Sequence, residues 1–393
     1  MAGSDRSGPA TPRLFVAVTG HLAVNVLLRP QLASLTAAGW EVHVVCAPGP
    51  LDAAAVDSVH AVHGLPMSRS VSPWRDVRSM LQLARLLRAE RPVVVVGSTP
   101  KAALVSMVGA RLARVPVRVF QVRGAPWEGA TGRRATLTRL ADRVAARSAT
   151  DVLAVSSSLA DVLVAAGVVR RRPRVLLNGG SKGVDTSVFT PDPQRAYDPA
   201  APVVGFAGRL SIDKGIGEIL DVVETVRRTI PGLVVQLVGD VDAAQPIPAD
   251  LVDRLVRSPA VDWRPAVPLD EMPALVSGWD LLLLPSQREG LPNVVLEAAA
   301  CGVPTVAWDV TGVRDCVEDG RTGRLVPRGD LGAMTAAVLE CLEPDRHARM
   351  AAFAVPWVRE HFDAALVSRA FTDYLADVCR EHGQVPPAPT VRS

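Results

Sequence analysis

Aromatic residues are scarce in this chain of 393 residues: two Tyr, seven Phe and seven Trp make up 4% of it. Single-stranded nucleic-acid binders stack bases on such rings, and no nucleic-acid-binding module is recognisable. A nucleic-acid partner is therefore not expected. Cysteine is also sparse: Cys46, Cys301, Cys316, Cys341 and Cys379 are odd in number and include no C-x-x-C pair. That argues against a zinc site or a disulfide framework and fits a reducing cytosol. Long apolar runs are missing too. Runs such as Val93–Val96 and Leu281–Leu284 are strand-length, far short of the roughly 20 residues a membrane helix needs. The opening MAGSDRSGPATPR is polar with no apolar h-region, so no secretory leader is expected.

What is present is a globular composition, 48% hydrophobic and 21% charged with mean hydropathy +0.21, long enough for two domains. Near-continuous apolar segments alternate with helical patterns: LFVAV (14–18), EVHVVC (41–46), VVVVG (93–97), VRVFQV (117–122), DVLAV (151–155) and RVLLN (174–178). A stretch rich in Gly, Pro and Asp (179–202) interrupts them. A second series follows with VVGFAG (203–208), LVVQLVG (233–239), WDLLLLP (279–285) and VPTVAW (303–308). This is the pattern of parallel sheets covered on both faces. The class read from it is α/β, two Rossmann-like doubly wound domains facing a central cleft, with ligands at the carboxyl ends of the strands. The expected boundaries are a disordered 1–12, an acceptor domain over 13–185, a linker over 186–202 and a nucleotide-binding domain over 203–360. A C-terminal helix over 361–382 is expected to pack back on the first domain, followed by a disordered tail, 383–393.

Charge divides the halves. Residues 1–190 carry 24 Lys and Arg against 11 Asp and Glu, the remainder 19 against 29, so they stand at +13 and −10. Arg170–Arg172 and Arg133, Arg134, Arg139, Arg143 and Arg147 could face an anionic membrane surface, each charge adding about 1 kcal/mol there, or form an ordinary solvated face.

Two clusters carry chemistry. In EGLPNVVLE, Glu289 and Glu297 flank a Gly290-Leu291-Pro292-Asn293 turn that opens a helix. Helix starts present unpaired N–H groups and a partial positive charge, an anion or polyol site, although simple capping is equally open. In GRLSIDKG, Gly208 permits close backbone approach, while Arg209 and Lys214 supply a forked and a point cation suited to a diphosphate.

The ordered pair of motifs, with LVGD (237–240), VRGAPWEGATG (122–132), VLAVSSSL (152–159) and LLNGGSKGVD (176–185), resembles the retaining glycosyltransferases of family 4 (group 1), which have the GT-B fold. The resemblance covers about 14–380 and is closest in look to capsule and exopolysaccharide glycosyltransferases. It implies a hexosyl or N-acetylhexosaminyl transferase moving a sugar from a nucleotide-sugar, most simply a UDP-sugar, to a polyprenyl-diphosphate-linked glycan. The site would be cytoplasmic, with the basic domain peripheral on the inner membrane face. The same chemistry on a small-molecule aglycone, or a non-catalytic nucleotide-sugar-binding protein, are the alternatives. Epimerases acting on UDP-N-acetylglucosamine share the two-lobed fold but lack this ordered motif set.

By the same resemblance Arg209 and Lys214 hold the diphosphate, and Glu289 meets the transferred sugar. Gly290, Leu291, Pro292 and Asn293 lie around sugar and phosphate, and Glu297 holds the ribose. Arg209, Lys214 and Glu289 are the catalytic set, orienting the donor rather than acting as a glycosidase acid and nucleophile. Relatives' His-Gly is Arg123-Gly124 here, and His21 is the nearest substitute. His21, Arg123, Trp127 and Glu128 form the expected acceptor side, with Trp127 equally open as core packing. Asp240-Val241-Asp242 matches a metal-binding DxD but reads as a strand-end turn, so neither a metal nor a cofactor is expected.

Overall fold

The computed structural model describes residues 11–67, 72–242 and 245–388. Residues 1–10 of the expected disordered start and 389–393 of the tail lie outside these. Two units divide the chain: one holds the residues up to 155, 160–176 and those from 367, the other 156–159 and 177–366.

The first unit contains β1 (Arg13–Gly20), β2 (Glu41–Ala47), β3 (Ala61–Gly64), β4 (Val94–Gly97), β5 (Val117–Val122), β6 (Asp151–Ala154) and β7 (Arg174–Val175). All pair in parallel in the order β3-β2-β1-β4-β5-β6-β7. The connecting helices are α1 (His21–Ala23), α2 (Arg29–Ala37), α3 (Ala53–Val56), α4 (Pro73–Glu90), α5 (Pro100–Ala113), α6 (Gly132–Ser148) and α7 (Ser157–Ala165), whose first three residues belong to the second unit. A π turn over Val24–Leu28 joins α1 to α2. β7 is shorter than the apolar run RVLLN suggests, because Leu177 turns to φ +53°.

The second unit repeats the plan with β8 (Val203–Ala207), β9 (Val234–Val238), β10 (Val261–Arg264), β11 (Leu281–Leu284), β12 (Thr305–Trp308) and β13 (Gly323–Val326) in the order β10-β9-β8-β11-β12-β13. Its helices are α8 (Ile216–Val226), α9 (Ala249–Arg257), α10 (Met272–Ser277), α11 (Asn293–Ala300), α12 (Leu331–Cys341) and α13 (Pro344–Phe362), and α14 (Ala364–Glu381) closes the chain. In both sheets the strand order reverses beside the first strand, the doubly wound arrangement. Central strands such as Val94–Val96 and Leu281–Leu284 are buried throughout, as strands covered on both faces must be.

The division at 176/177 falls earlier than the expected boundary at 185. The reason is local pairing: Val184 N–H donates to the Phe362 carbonyl at 2.9 Å, and Ala364 N–H to the Val184 carbonyl at 2.8 Å, which ties 177–185 to the second unit. The single C-terminal helix expected over 361–382 is broken at Asp363. Its carboxylate caps α14 by accepting the Ala365 N–H at 2.9 Å and also takes the Thr186 hydroxyl at 2.6 Å. Phe371, Tyr374, Leu375, Val378 and Cys379 of α14 join the first unit's core with Leu14, Val16, Leu32 and Trp40.

One buried polar contact anchors α6. Trp127 Nε1 donates to the Asp142 carboxylate at 2.6 Å, and both side chains are buried. Burial raises the Asp142 carboxyl to about 6, against the lowering effect of the Trp127 bond. This folded value lies above the ordinary 3.8, so the group's contribution to stability is full below the unfolded value and is lost as pH rises through the folded one. The thermal unfolding midpoint of the wild type, measured against Asp142→Asn, is expected to fall between about pH 4 and pH 7 and to level off above. A difference independent of pH would overturn this assignment.

Candidate functional site

The two chemical motifs meet in the second unit, at the carboxyl ends of the neighbouring strands β8 and β11. Gly215 ends the 3-10 turn Ile212–Lys214 with φ +73°. A Cβ there would stand 2.4 Å from the Pro285 carbonyl oxygen, so only glycine lets the turns touch. Gln287 N–H donates to the Asp213 carbonyl at 2.9 Å, and the Asp213 carboxylate takes the Ser211 hydroxyl at 2.5 Å and pairs with Arg288 at 3.4 Å. Held this way, Lys214 Nζ reaches Glu289 Oε1 at 2.5 Å, with side-chain exposures of 17% and 14%.

Arg209, although on the same turn, faces another acid. It pairs with Asp242 and is half exposed. Leu210 N–H donates to the Asp240 carbonyl at 2.9 Å, Asp242 N–H to the Leu210 carbonyl at 3.0 Å, and Asp240 Oδ1 accepts the Ala266 N–H at 3.2 Å. The Asp-x-Asp carboxylates therefore serve a paired strand-end turn.

Glu297 lies in the second turn of α11 and is 8% exposed. Its partner is a residue the sequence reading passed over: Lys182 Nζ donates to Glu297 Oε1 at 2.9 Å. The signal was present, since Lys182 interrupts the otherwise small and polar GGS-GVD loop.

The turn between the two glutamates is fixed from behind. Gly290 O accepts the Ser156 hydroxyl at 2.7 Å, and Glu289 N–H donates to the Thr311 carbonyl at 3.1 Å. Gly312, at φ +78°, lies so close that a Cβ would stand 2.5 Å from Gly290 O. Its N–H donates to Ser158 Oγ at 2.7 Å, and Asp315 accepts the N–H groups of Ser157 at 2.9 Å and Ser158 at 3.2 Å as well as the Ser158 hydroxyl. Leu291 is buried, and Pro292 stands just before α11 in an extended conformation. Asn293 Oδ1 and Ser286 Oγ are buried with no hydrogen-bond partner among the described residues.

No thiol nearby is a ready nucleophile. Burial, reinforced by the Glu297 carboxylate, pushes Cys301 up to about 12, and burial raises Cys316 well above the ordinary thiol value. What the site offers is two lysine–carboxylate pairs and buried polar atoms around a backbone turn. Such a set binds and orients; it carries no obvious covalent step.

In the first unit, His21 opens the helical run after β1, its ring against Gly49, where a Cβ would lie 1.9 Å from Nδ1. Arg123 follows β5 and donates to Ser98 Oγ at 2.5 Å and to Gln31 Oε1 and Gln121 Oε1 at 3.1 Å each. Burial lowers it to about 10, so it remains a cation at neutral pH. Trp127 turns inward to Asp142, the core-packing role, and also borders a pocket of about 140 Å³ with Arg139. Glu128 is half-buried in the same loop, its N–H bonded to the Ala125 carbonyl at 2.9 Å.

Against known proteins, residues 23–179 match the model described as "Glycosyl transferase 4-like domain" and residues 201–344 the one described as "Glycosyl transferases group 1". The chain is 27% identical over 319 residues to the capsular polysaccharide biosynthesis glycosyltransferase CapM of Staphylococcus aureus, covering 79% of this chain and 83% of that one. It is 33% identical over 190 residues to the 2-deoxystreptamine N-acetyl-D-glucosaminyltransferase of Streptomyces fradiae, covering 46% and 44%. In fold it is similar to Anabaena HepE crystallised with UDP and glucose, with TM-score 0.75 and 19% identity over 93% of this chain and all of that one. The chain belongs to the group 1 glycosyltransferases and is an enzyme of that class, built from the two doubly wound α/β units of the GT-B fold.

Proposed function

We propose that the second unit binds a UDP-sugar at the turn between Glu289 and Glu297 and that the enzyme transfers the sugar, with retention, to a polyprenyl-diphosphate-linked glycan. The observation that carries the donor site is the convergence of Lys214, Glu289, Lys182 and Glu297 on a turn that also buries Asn293 Oδ1 and Ser286 Oγ without partners. A buried polar atom left unsatisfied costs about 1–3 kcal/mol, which a ligand's hydroxyls or phosphate can recover.

In this reading Lys214 exchanges its carboxylate for the diphosphate, joined by Arg209 from the neighbouring Asp242. Glu289, released, accepts hydroxyls of the sugar, while Glu297 accepts those of the ribose with Lys182 holding its carboxylate in place. The cations favour the reaction because negative charge grows on the departing diphosphate, so they bind it more tightly in the transition state than in the ground state. The leaving phosphate then assists loss of the acceptor proton on the same face. Asp240 and Asp242 have other partners, and the transfer is proposed to need neither a metal nor a cofactor. His21 and Arg123, at the strand ends of the first unit, face the acceptor.

The role in building a polysaccharide draws support from the CapM likeness, and the membrane face from two helices of the first unit. Trp74, Val77 and Leu81 on α4, and Leu137, Leu140 and Val144 on α6, are exposed at i, i+3 and i+7 spacing. Trp74 is 87% exposed. Arg75, Arg78, Arg133 and Arg134 flank these stripes and are exposed. Exposed apolar stripes with basic flanks suit an anionic bilayer surface. Among the described residues no helix is long and apolar enough to cross a membrane. The Streptomyces relative favours a second reading, the same transfer to a small aglycone.

Glu297→Ala is expected to weaken UDP binding about tenfold or more, the loss of roughly 1.4 kcal/mol, with Lys182→Met following it in the same direction. Glu289→Ala should keep UDP affinity and lower turnover about a hundredfold. Calorimetric UDP titrations and transfer assays check both, and unchanged UDP binding in Glu297→Ala together with unchanged turnover in Glu289→Ala would sink the donor assignment. Trp74→Asp with Leu140→Asp is expected to abolish sedimentation with anionic vesicles and to spare transfer to a water-soluble acceptor. Absence of vesicle binding in the wild type, with full turnover on soluble polyols, would select the second reading.

A further inference from the structure

We propose that Glu41, His43 and His60, at the edge of the first unit's sheet, form a binding site for a divalent transition-metal cation of the zinc type, separate from the donor site. Glu41 and His43 alternate along β2 and so share a face, and His60 immediately precedes β3, the strand beside it. His43 Nε2 lies 3.1 Å and His60 Nε2 3.6 Å from Glu41 Oε1, and the three donor atoms lie within 4.8 Å of one another. A tetrahedral zinc ion with bonds of about 2.0–2.1 Å to nitrogen and oxygen has ligand–ligand edges of about 3.3 Å. Two observed edges bracket that value. The third closes by movement of His60, whose side chain is 61% exposed, and the open side leaves the fourth position to water.

The buried ligand is pre-oriented. His43 stacks on Phe15 at 4.5 Å and on His63 at 5.3 Å between ring centres. Its Nδ1 is 2.9 Å from His63 Nε2. A cation that takes the Nε2 lone pair leaves the proton on Nδ1, where His63 Nε2 accepts it. Metal-bound histidines are held this way, by a hydrogen bond from the other ring nitrogen.

The surrounding charge also suits a cation. Arg13 Nε donates to the same Glu41 Oε1 at 2.8 Å and its Nη1 to Glu90 at 3.0 Å, so a cation bound at Oε1 would displace Arg13 toward Glu90. The two carboxylates and one guanidinium leave a net negative charge beside the imidazoles. A cation here would fasten the start of β3, whose first link to β2 is the bond from His60 N–H to the Val42 carbonyl at 2.7 Å. It would thereby close an edge strand of only four residues.

Zinc titrated calorimetrically into the metal-stripped full chain is expected to bind at one equivalent and to raise the unfolding midpoint. His60→Ala and Glu41→Gln should each weaken binding tenfold or more, with His361→Ala, outside the cluster, unchanged. Cobalt(II) in place of zinc should show the intense visible absorption of a tetrahedral site, and the transfer rate should not depend on the metal. Equal zinc affinity in wild type and His60→Ala, no binding, or weak octahedral cobalt absorption would overturn the proposal. Circular dichroism of His60→Ala, an exposed position, separates loss of binding from loss of fold.

Discussion

Parallel strands cannot be joined by a tight turn; each needs a crossover of a dozen residues or more. Every loop that leaves a carboxyl end of such a sheet therefore emerges on one side. In the second unit this brings together the turn after β8 and the turn after β11, although Lys214 and Glu289 are 75 residues apart. The approach is then set by backbone against backbone, Gly215 on the Pro285 carbonyl and Gly312 on Gly290. The charged side chains inherit their positions from those contacts. A substituent at either glycine would move the lysine away from its acid without touching either one.

The two lysine–carboxylate pairs are not primarily stabilising features. Each partner is less than a fifth exposed, and removing such charges from water costs several kcal/mol per ion, which mutual attraction only partly offsets. A pair of this kind contributes little net stability and can be re-partnered cheaply. That property suits a site where a diphosphate and sugar hydroxyls compete for the same groups. The buried, partnerless oxygens of Asn293 and Ser286 point the same way, because a fold with no polar ligand to bind would gain by replacing them.

Elsewhere the first unit shows how one scaffold accommodates different demands. Its core strands are apolar on both faces, its outer helices α4 and α6 keep apolar stripes in the open, and its edge strand is lined by imidazoles. Trp127 and Asp142 show apolar packing admitting one polar contact, at the expense of a carboxyl displaced from its ordinary titration range.

Residue order alone determined the two-fold repeat of strand and helix, because continuous apolar runs such as VVVV and LLLL can be buried only inside a covered parallel sheet. It also determined the residue types at the site, since GRLSIDKG and EGLPNVVLE carry their cations and carboxylates in plain view. The short strands β3, β10 and β13 were not legible: they lie at or near sheet edges, half-buried, without a continuous apolar run. Tertiary structure decided the pairing. It set Lys214 on Glu289, gave Arg209 to Asp242, brought Lys182 to Glu297 and gathered Glu41 and His43 of β2 with His60, just before β3. Those partnerships depend on which strand ends become neighbours and on how closely glycine backbones approach, and neither is written in the spacing of residues along the chain.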